Sequence, residues 1–253
     1  MIAVCVIPAR YGSTRFPGKP LAKIQGKPMI QWVYQQAKTA TRFQKVLVAT
    51  DDPRIEQAVK DFGGEVCLTP SELPSGTDRV ARAVQQLEAD VVVNLQGDEP
   101  LVEPALLDQL VEVFEKRPEV LVATPIKKIF EIEDLLNPNL VRVVKDKQNF
   151  ALYFTRSVIP YLRDVPRQRD WLQYFSFYKH VGIYAYRKKF LLQLTQLPQT
   201  ELEKAEKLEQ LRILEHGFKI YTIETEYDSI SVDTPGELEQ LNQKLKNQTK
   251  GRS

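Results

Sequence analysis

The segment from Pro8 to Leu21 carries three cations, Arg10, Arg15 and Lys19, on a stretch broken by Gly12 and Gly18 and supplied with hydroxyls at Ser13 and Thr14. Backbone N–H groups of such a loop can turn inward around an anion while the cations neutralise it, which is the chemistry of a phosphate cradle. A solvated basic loop is the plainer reading of isolated charges. Several cations, glycines and prolines directly after a buried run favour the cradle. The loop is neither a G-x-x-x-x-G-K-[ST] motif nor a G-x-G-x-x-G turn, so kinase-like and dinucleotide-binding dehydrogenase readings lose their main support.

Asp98, in Gln96-Gly-Asp98-Glu-Pro100, follows the apolar run Val91–Leu95 directly. A carboxylate at a strand end can hold Mg²⁺, which takes few protein carboxylates and completes its shell with phosphate oxygens and water. Gly97 beside it lets backbone approach closely. A turn role is the alternative for Asp98, and more so for Asp233 just before Thr234. Arg156 could meet a carboxylate bidentately. His180 and Tyr184 are spaced to share one face of a predicted strand, and Glu206 and Gln210 one face of a predicted helix. By themselves these pairs read as a structural histidine and an exposed polar stripe. Ser75-Gly-Thr-Asp78 reads as a turn into a helix with Thr77 as N-cap, and Asp51-Asp-Pro53 as another helix start.

The elements that must position these groups follow from hydrophobic period. Ile2–Ile7, Val46–Ala49, Val91–Leu95 and Val120–Ala123 are continuous apolar runs, as expected of strands buried on both faces. Between them, Ile30/Val33/Tyr34/Ala37, Val80/Ala83/Val84/Leu87 and Leu106/Leu107/Leu110/Val111/Phe114 have helical spacing. This alternation predicts a Rossmann-like α/β fold, three layers αβα around a mostly parallel mixed sheet. Later, Val141–Val144, Val181–Tyr186 and Ile220–Ile223 read as strands, and Leu202/Ala205/Leu208/Leu211 as one amphipathic helix. Thr234-Pro-Gly-Glu237 is a capping box opening a last helix, with a frayed tail after Leu245. Tyr161–Tyr174, charged and aromatic, reads as a loop over a site. Tyr153, Phe154, Phe175, Phe177 and Tyr178 read as core or subunit interface. No linker interrupts the chain, which is expected to form one domain over 1–253, with a first half (1–125) and a second (126–245).

The 253 residues hold 35 basic and 33 acidic side chains, a net charge of +2, which calls for neither nucleic acid nor a membrane surface. The first apolar run is too short for a membrane helix and lacks a basic leader, so a cytoplasmic protein is expected. Cys5 and Cys67 are expected to be reduced and buried.

The stretch Pro8-Ala-Arg10 through Phe16-Pro-Gly-Lys19-Pro-Leu closely resembles the signature loop of the nucleotide-sugar cytidylyltransferases. Further pieces agree in order along nearly the whole chain: Gly26-Lys-Pro-Met-Ile30, Val48-Ala-Thr-Asp51, Asn94-Leu-Gln-Gly-Asp-Glu-Pro100, Asn137-Pro-Asn139, Ala151-Leu-Tyr-Phe-Thr-Arg156, His180-Val-Gly-Ile-Tyr184, Leu208-Glu-Gln-Leu-Arg212 and Val232-Asp-Thr-Pro235. The later motifs select the branch that uses 3-deoxy-D-manno-octulosonate (Kdo). Ser231 stands where that branch usually has glycine. The resemblance implies CTP and an acidic sugar as partners, Mg²⁺ as cofactor, and a homodimer. It implies nucleotide contacts from Pro8, Ala9, Arg10, Arg15, Lys19, Ser75, Gly76 and Gln96, with Arg10, Lys19 and Asp98 catalytic. It adds Asp233 to Asp98 at the metal, and gives the sugar Gln96, Arg156, His180, Tyr184, Glu206 and Gln210. An 8-amino analogue of Kdo, sialic acid, or a non-catalytic nucleotide-binding role on the same fold are the alternatives.

Overall fold

In the computed structural model, which describes residues 1–12, 16–229 and 231–250, the first strand sets the architecture. β1 (Ala3–Ala9) is buried along its whole length. Ala3, Cys5, Ile7 and Ala9 face one apolar cluster, and Val4 and Val6 face another. A strand covered on both faces has no need of polar alternation, which is why its sequence is a continuous apolar run.

The other strands are β2 (Lys23–Ile24), β3 (Lys27–Pro28), β4 (Lys45–Thr50), β5 (Val66–Leu68), β6 (Val91–Asn94), β7 (Val122–Lys128), β8 (Arg142–Lys145), β9 (Ala151–Thr155), β10 (Tyr178–His180), β11 (Tyr184–Arg187) and β12 (Tyr221–Glu224). The helices are α1 (Met29–Thr39), α2 (Pro53–Asp61), α3 (Gly76–Val84), α4 (Pro104–Lys116), α5 (Ile132–Leu136), α6 (Lys188–Leu194), α7 (Glu201–Glu206), α8 (Gln210–Glu215) and α9 (Pro235–Lys250). Parallel pairing joins β5, β4, β1 and β6. The sheet continues through antiparallel contacts to β11, β7, β10, β8 and β9, with β12 parallel to β7. Apolar stripes of α1, α2 and α4 pack on one face, and those of α3, α6 and α8 on the other. This is the three-layer αβα arrangement expected from the alternation.

The predicted strand over Val181–Tyr186 is interrupted. β10 and β11 run along the same edge of β7, yet His180 faces Ile126 while Ala185 faces Ala123. The strand therefore carries two residues more than its partner across 181–183, a wide bulge around Gly182. Thr124 of β7 fills it, its hydroxyl meeting the carbonyls of Val181 and Ile183 at 3.2 and 2.8 Å. On the other edge β10 pairs with β8 and β11 with β6, so the sheet forks at the bulge. No apolar pattern signals such a break, because the residues on both sides of it are core residues.

The single helix expected over Leu202–Leu211 is two. α7 ends at Lys207, which adopts φ 55°, and α8 folds back so that the buried Arg212 Nε and Nη2 reach Glu203 at 2.8 and 2.5 Å. Glu206 and Gln210 consequently do not share a helix face. Ser75, not Thr77, caps α3, its Oγ accepting from Asp78 N at 3.1 Å. Asp52 caps α2, as expected. The capping box before α9 forms: Glu237 accepts from Thr234 N at 2.8 Å, and Thr234 Oγ1 accepts from Glu237 N at 3.2 Å. α9 continues to Lys250, past the point where fraying was expected. Cys5 is buried, but Cys67 is only partly so. The stretch Tyr161–Tyr174, expected as a loop over a site, is anchored to the fold. It contains a short 3₁₀ turn that sinks Trp171 beside Phe177 in a small cluster of its own with Ile129 and Leu135. Phe154 and Phe177 are core, whereas Phe175 is exposed.

Candidate active site

The loop after β1 and the loop after β6 leave neighbouring parallel strands at their carboxyl ends, where ligands gather in open α/β sheets. Two glycines let the loops come together. Gly18 has φ 71°, donates to Tyr11 O at 2.9 Å, and would press a Cβ against the Tyr11 ring at 3.1 Å. A Cβ on Gly97 would stand 3.2 Å from Pro8 O, so the β6 loop meets the end of β1 only without a side chain there.

Between these loops lies a cavity of about 440 Å³, lined by Pro8, Ala9, Arg10, Lys19, Ser75, Gly76, Arg79, Gln96, Asp98 and Asp233, among others. At one wall Lys19 Nζ sits 2.6 Å from Asp98 Oδ2 and 3.0 Å from Asp233 Oδ1. Burial works against the ammonium, but Asp98 and Asp233 outweigh it and hold the Lys19 pKa above its ordinary value. Val232 N donates to Asp98 O at 3.1 Å, tying the segment that carries Asp233 to the β6 loop across more than half the chain. Beneath them Glu99 is buried and accepts from Tyr227 Oη at 2.8 Å and from Ser229 Oγ. Burial pushes its pKa up to about 7, against the pull of those two hydroxyls. Arg10 lines the cavity exposed, with no ion pair among the described residues. Arg15 lies outside the described residues.

A second cavity, of about 340 Å³, adjoins the first and shares Gly76 and Gln96 with it. It opens where the sheet forks. His180, Gly182 and Tyr184 of the bulged strand line it, with Asn94 and Gln96 at the end of β6 and Glu209 and Gln210 of the chain entering α8. The His180 and Tyr184 rings touch, 5.2 Å between centroids. Complete burial pushes His180 down to about 3, so its imidazole is neutral. Its Nε2 lies 3.1 Å from Thr124 Oγ1. Gln210 is 7% exposed, and its Nε2 has no hydrogen-bond partner among the described residues. A buried donor left open on a cavity wall is prepared for a ligand acceptor.

Arg156 and Glu206 line neither cavity. Arg156 is exposed, with Nε on Glu206 O at 3.3 Å and Nη1 on Asn139 O at 3.2 Å, while Glu206 accepts from Thr155 Oγ1 at 2.5 Å and Arg156 N at 3.1 Å. Arg79, Asn94 and Glu209 are polar lining residues to which sequence reasoning gave no site role, and Thr77, read there as a helix cap, lines the second cavity as well. Arg79 is 4% exposed and reaches Asp51 at 3.1 Å. Glu209 was visible only as the neighbour of Gln210, and Asn94 as the polar end of an apolar run.

The sheet order and the loop-borne site define a nucleotide-binding α/β transferase fold. The chain belongs to the cytidylyltransferase family, whose model matches residues 4–220. It is 48% identical to 3-deoxy-manno-octulosonate cytidylyltransferase of Geobacter sulfurreducens over 97% of this chain and 100% of that one. It is also 48% identical to 8-amino-3,8-dideoxy-manno-octulosonate cytidylyltransferase of Shewanella baltica, over 97% and 99%. A solved structure of CMP:2-keto-3-deoxy-manno-octonic acid synthetase complexed with CTP superposes with a TM-score of 0.91 at 44% identity, covering 98% of this chain and 100% of the other.

Proposed function

We propose that this chain transfers CMP from CTP to Kdo, forming CMP-Kdo and pyrophosphate. The observation that carries the reading is the continuity of the two cavities at Gly76 and Gln96. A nucleotide in the first and a sugar in the second meet at that seam. The sugar's anomeric oxygen forms a bond to the α-phosphorus, the bond from that phosphorus to the bridging oxygen of pyrophosphate breaks, and the hydroxyl proton is lost. Such chemistry depends on positioning and on neutralising charge.

Arg10, Arg15 and Lys19 receive the triphosphate, with backbone near Pro8 and Ala9, and the turn at Ser75 and Gly76 lies beside the base. Asp98 and Asp233 suit Mg²⁺, since their carboxylates already converge on a single cation, Lys19 Nζ. When bound, Mg²⁺ would neutralise phosphate charge and acidify a ligand hydroxyl. Lys19 would offer its ammonium to a phosphate oxygen. His180, Tyr184, Gln96 and Gln210 hold the sugar. Arg156 reaches the sugar carboxylate only by exchanging its bonds to Glu206 and Asn139. The protein acts in the cytoplasm as a homodimer.

Equal identity to relatives named for Kdo and for its 8-amino analogue favours a second reading, in which the 8-amino sugar is the acceptor. Pyrophosphate release with Mg²⁺ and either CTP or UTP, offered Kdo, 8-amino-Kdo and sialic acid in turn, separates these. Release with CTP and Kdo alone, abolished in Asp98→Ala, is the expected result. Preference for the 8-amino sugar moves the reading to that substrate. No release from folded, CTP-binding protein overturns it.

A further inference from the structure

Four buried or half-buried polar side chains cross from one cavity to the other. Gln96 Nε2 donates to Asn94 Oδ1 at 3.1 Å, Asn94 Nδ2 donates to Thr77 Oγ1 at 3.3 Å, and Thr77 Oγ1 donates to Glu209 Oε1. Asn94 is 1% exposed and Thr77 7%, so these polar groups find their partners mainly in one another rather than in water. They belong to three elements: the end of β6, the first turn of α3 and the entry to α8.

The direction of this chain of bonds is not free. A carboxylate only accepts, so Glu209 takes the Thr77 proton. The Thr77 oxygen is then left to accept from the Asn94 amide nitrogen. With its nitrogen turned to Thr77, Asn94 faces Gln96 with its carbonyl oxygen, so Gln96 binds it through its nitrogen. The result is that Gln96 is oriented with its own carbonyl away from Asn94. That oxygen lies on the Gly76 side, 3.9 Å from where a Cβ on Gly76 would be. Gly76 and Gln96 are the residues common to both cavities.

We propose that Thr77 and Asn94 are positioning residues for the transfer reaction. They fix Gln96 as a hydrogen-bond acceptor at the seam and Glu209 as an acceptor on the sugar wall, so that a hydroxylated acid is held with a hydroxyl facing the nucleotide. The inference rests on the transferase reading above. It adds that an acceptor substrate is recognised through hydroxyl donors by two oxygens whose orientation is set from inside the fold. The triphosphate does not need the relay, because the cations of the first loop that receive it, Arg10 and Lys19, make no bond to these four side chains.

The test compares Thr77→Val, which keeps the shape and removes the hydroxyl, with Thr77→Ser, which keeps the hydroxyl. Steady-state KM values for CTP and for the sugar that the wild type turns over best are measured in each, with CTP affinity by calorimetry and a thermal midpoint. The expected result is a rise of tenfold or more in sugar KM for Thr77→Val, CTP affinity within about threefold of wild type, and recovery in Thr77→Ser. Asn94→Leu, which breaks the relay one bond earlier, is expected to show the same split, and stands in should Thr77→Val fail to fold. Unchanged sugar KM in the folded variants, or equal losses for CTP and sugar, overturns the proposal. Wild-type protein that turns over no sugar overturns the transferase reading itself, a different result from a wild type that works and a Thr77→Val that works as well.

Discussion

Lys19 and the two carboxylates that hold it form the most concentrated charge cluster on the wall of the first cavity. With Asp98 and Asp233 at 2.6 and 3.0 Å, the ammonium supplies the positive charge that this pair of anions requires. Lys19→Met is expected to lower turnover by roughly 10²-fold, the usual scale for removing one charge-stabilising donor at a reacting phosphate. CTP affinity is expected to fall with it, and both are read from initial rates and calorimetry. Buried titrating groups give a pH signature. His180 titrates near 3 in the fold and has an ordinary value of 6.5, so below pH 6.5 the unfolded chain takes a proton that the fold refuses. Its effect on stability is absent above that pH and grows more unfavourable as pH falls towards 3, by roughly 1.4 kcal/mol per pH unit at most. Glu99 works oppositely. It is raised to about 7 from 4.5, so the fold takes its proton first, and stability falls as pH rises through that window. Urea midpoints between pH 5 and 8 are expected to show the two partly cancelling. Glu99→Gln should steepen the acid loss, and His180→Gln should leave only the rise.

At the scale of elements, the site depends on how closely strand ends approach one another. Gly97→Ala places a methyl 3.2 Å from Pro8 O, which is backbone and cannot swing aside. The β6 loop must shift, at a cost of about 1–3 kcal/mol, the range for overpacking. Because Asp98 follows at once and is tied to Val232, CTP affinity is expected to drop in the same variant. Wild-type CTP affinity together with an unchanged thermal midpoint would show that the close approach is unimportant. The bulge at 181–183 is the other decisive element. By slipping the strand against β7 it keeps His180 and Tyr184 on one face while parting β6 from β8, and the second cavity occupies that parting.

For the whole molecule, segments remote in sequence close one site: the loop after β1, the end of β6, the entry to α8 and the segment before α9. A chain expected to form one domain should therefore unfold as one unit. CTP with Mg²⁺ at a hundred times its dissociation constant is expected to add about 2.7 kcal/mol to that unit's stability. Scanning calorimetry with and without ligand checks this. Two transitions, of which only one moves, would separate a nucleotide half from the rest.

The parallel half of the sheet and its covering helices were legible from residue order, because doubly buried strands and amphipathic helices carry periods set by burial alone. So were the caps at Asp52 and Thr234, whose chemistry is local. Asp98 could be picked out because it ends a buried run. What residue order did not determine is the second cavity. The split of α7 from α8 follows from Glu203 pairing with Arg212, and the bulge from Thr124 bonding across strands. Both turn on contacts between residues whose local patterns suit an unbroken helix and an unbroken strand. For the same reason Arg156 and Glu206 lie off the cavity, and Thr77 and Glu209 lie on it. Periodicity records which face of an element is buried. Only the packed fold decides which buried polar groups meet, because hydrogen-bond partners distant in the chain are chosen by tertiary geometry.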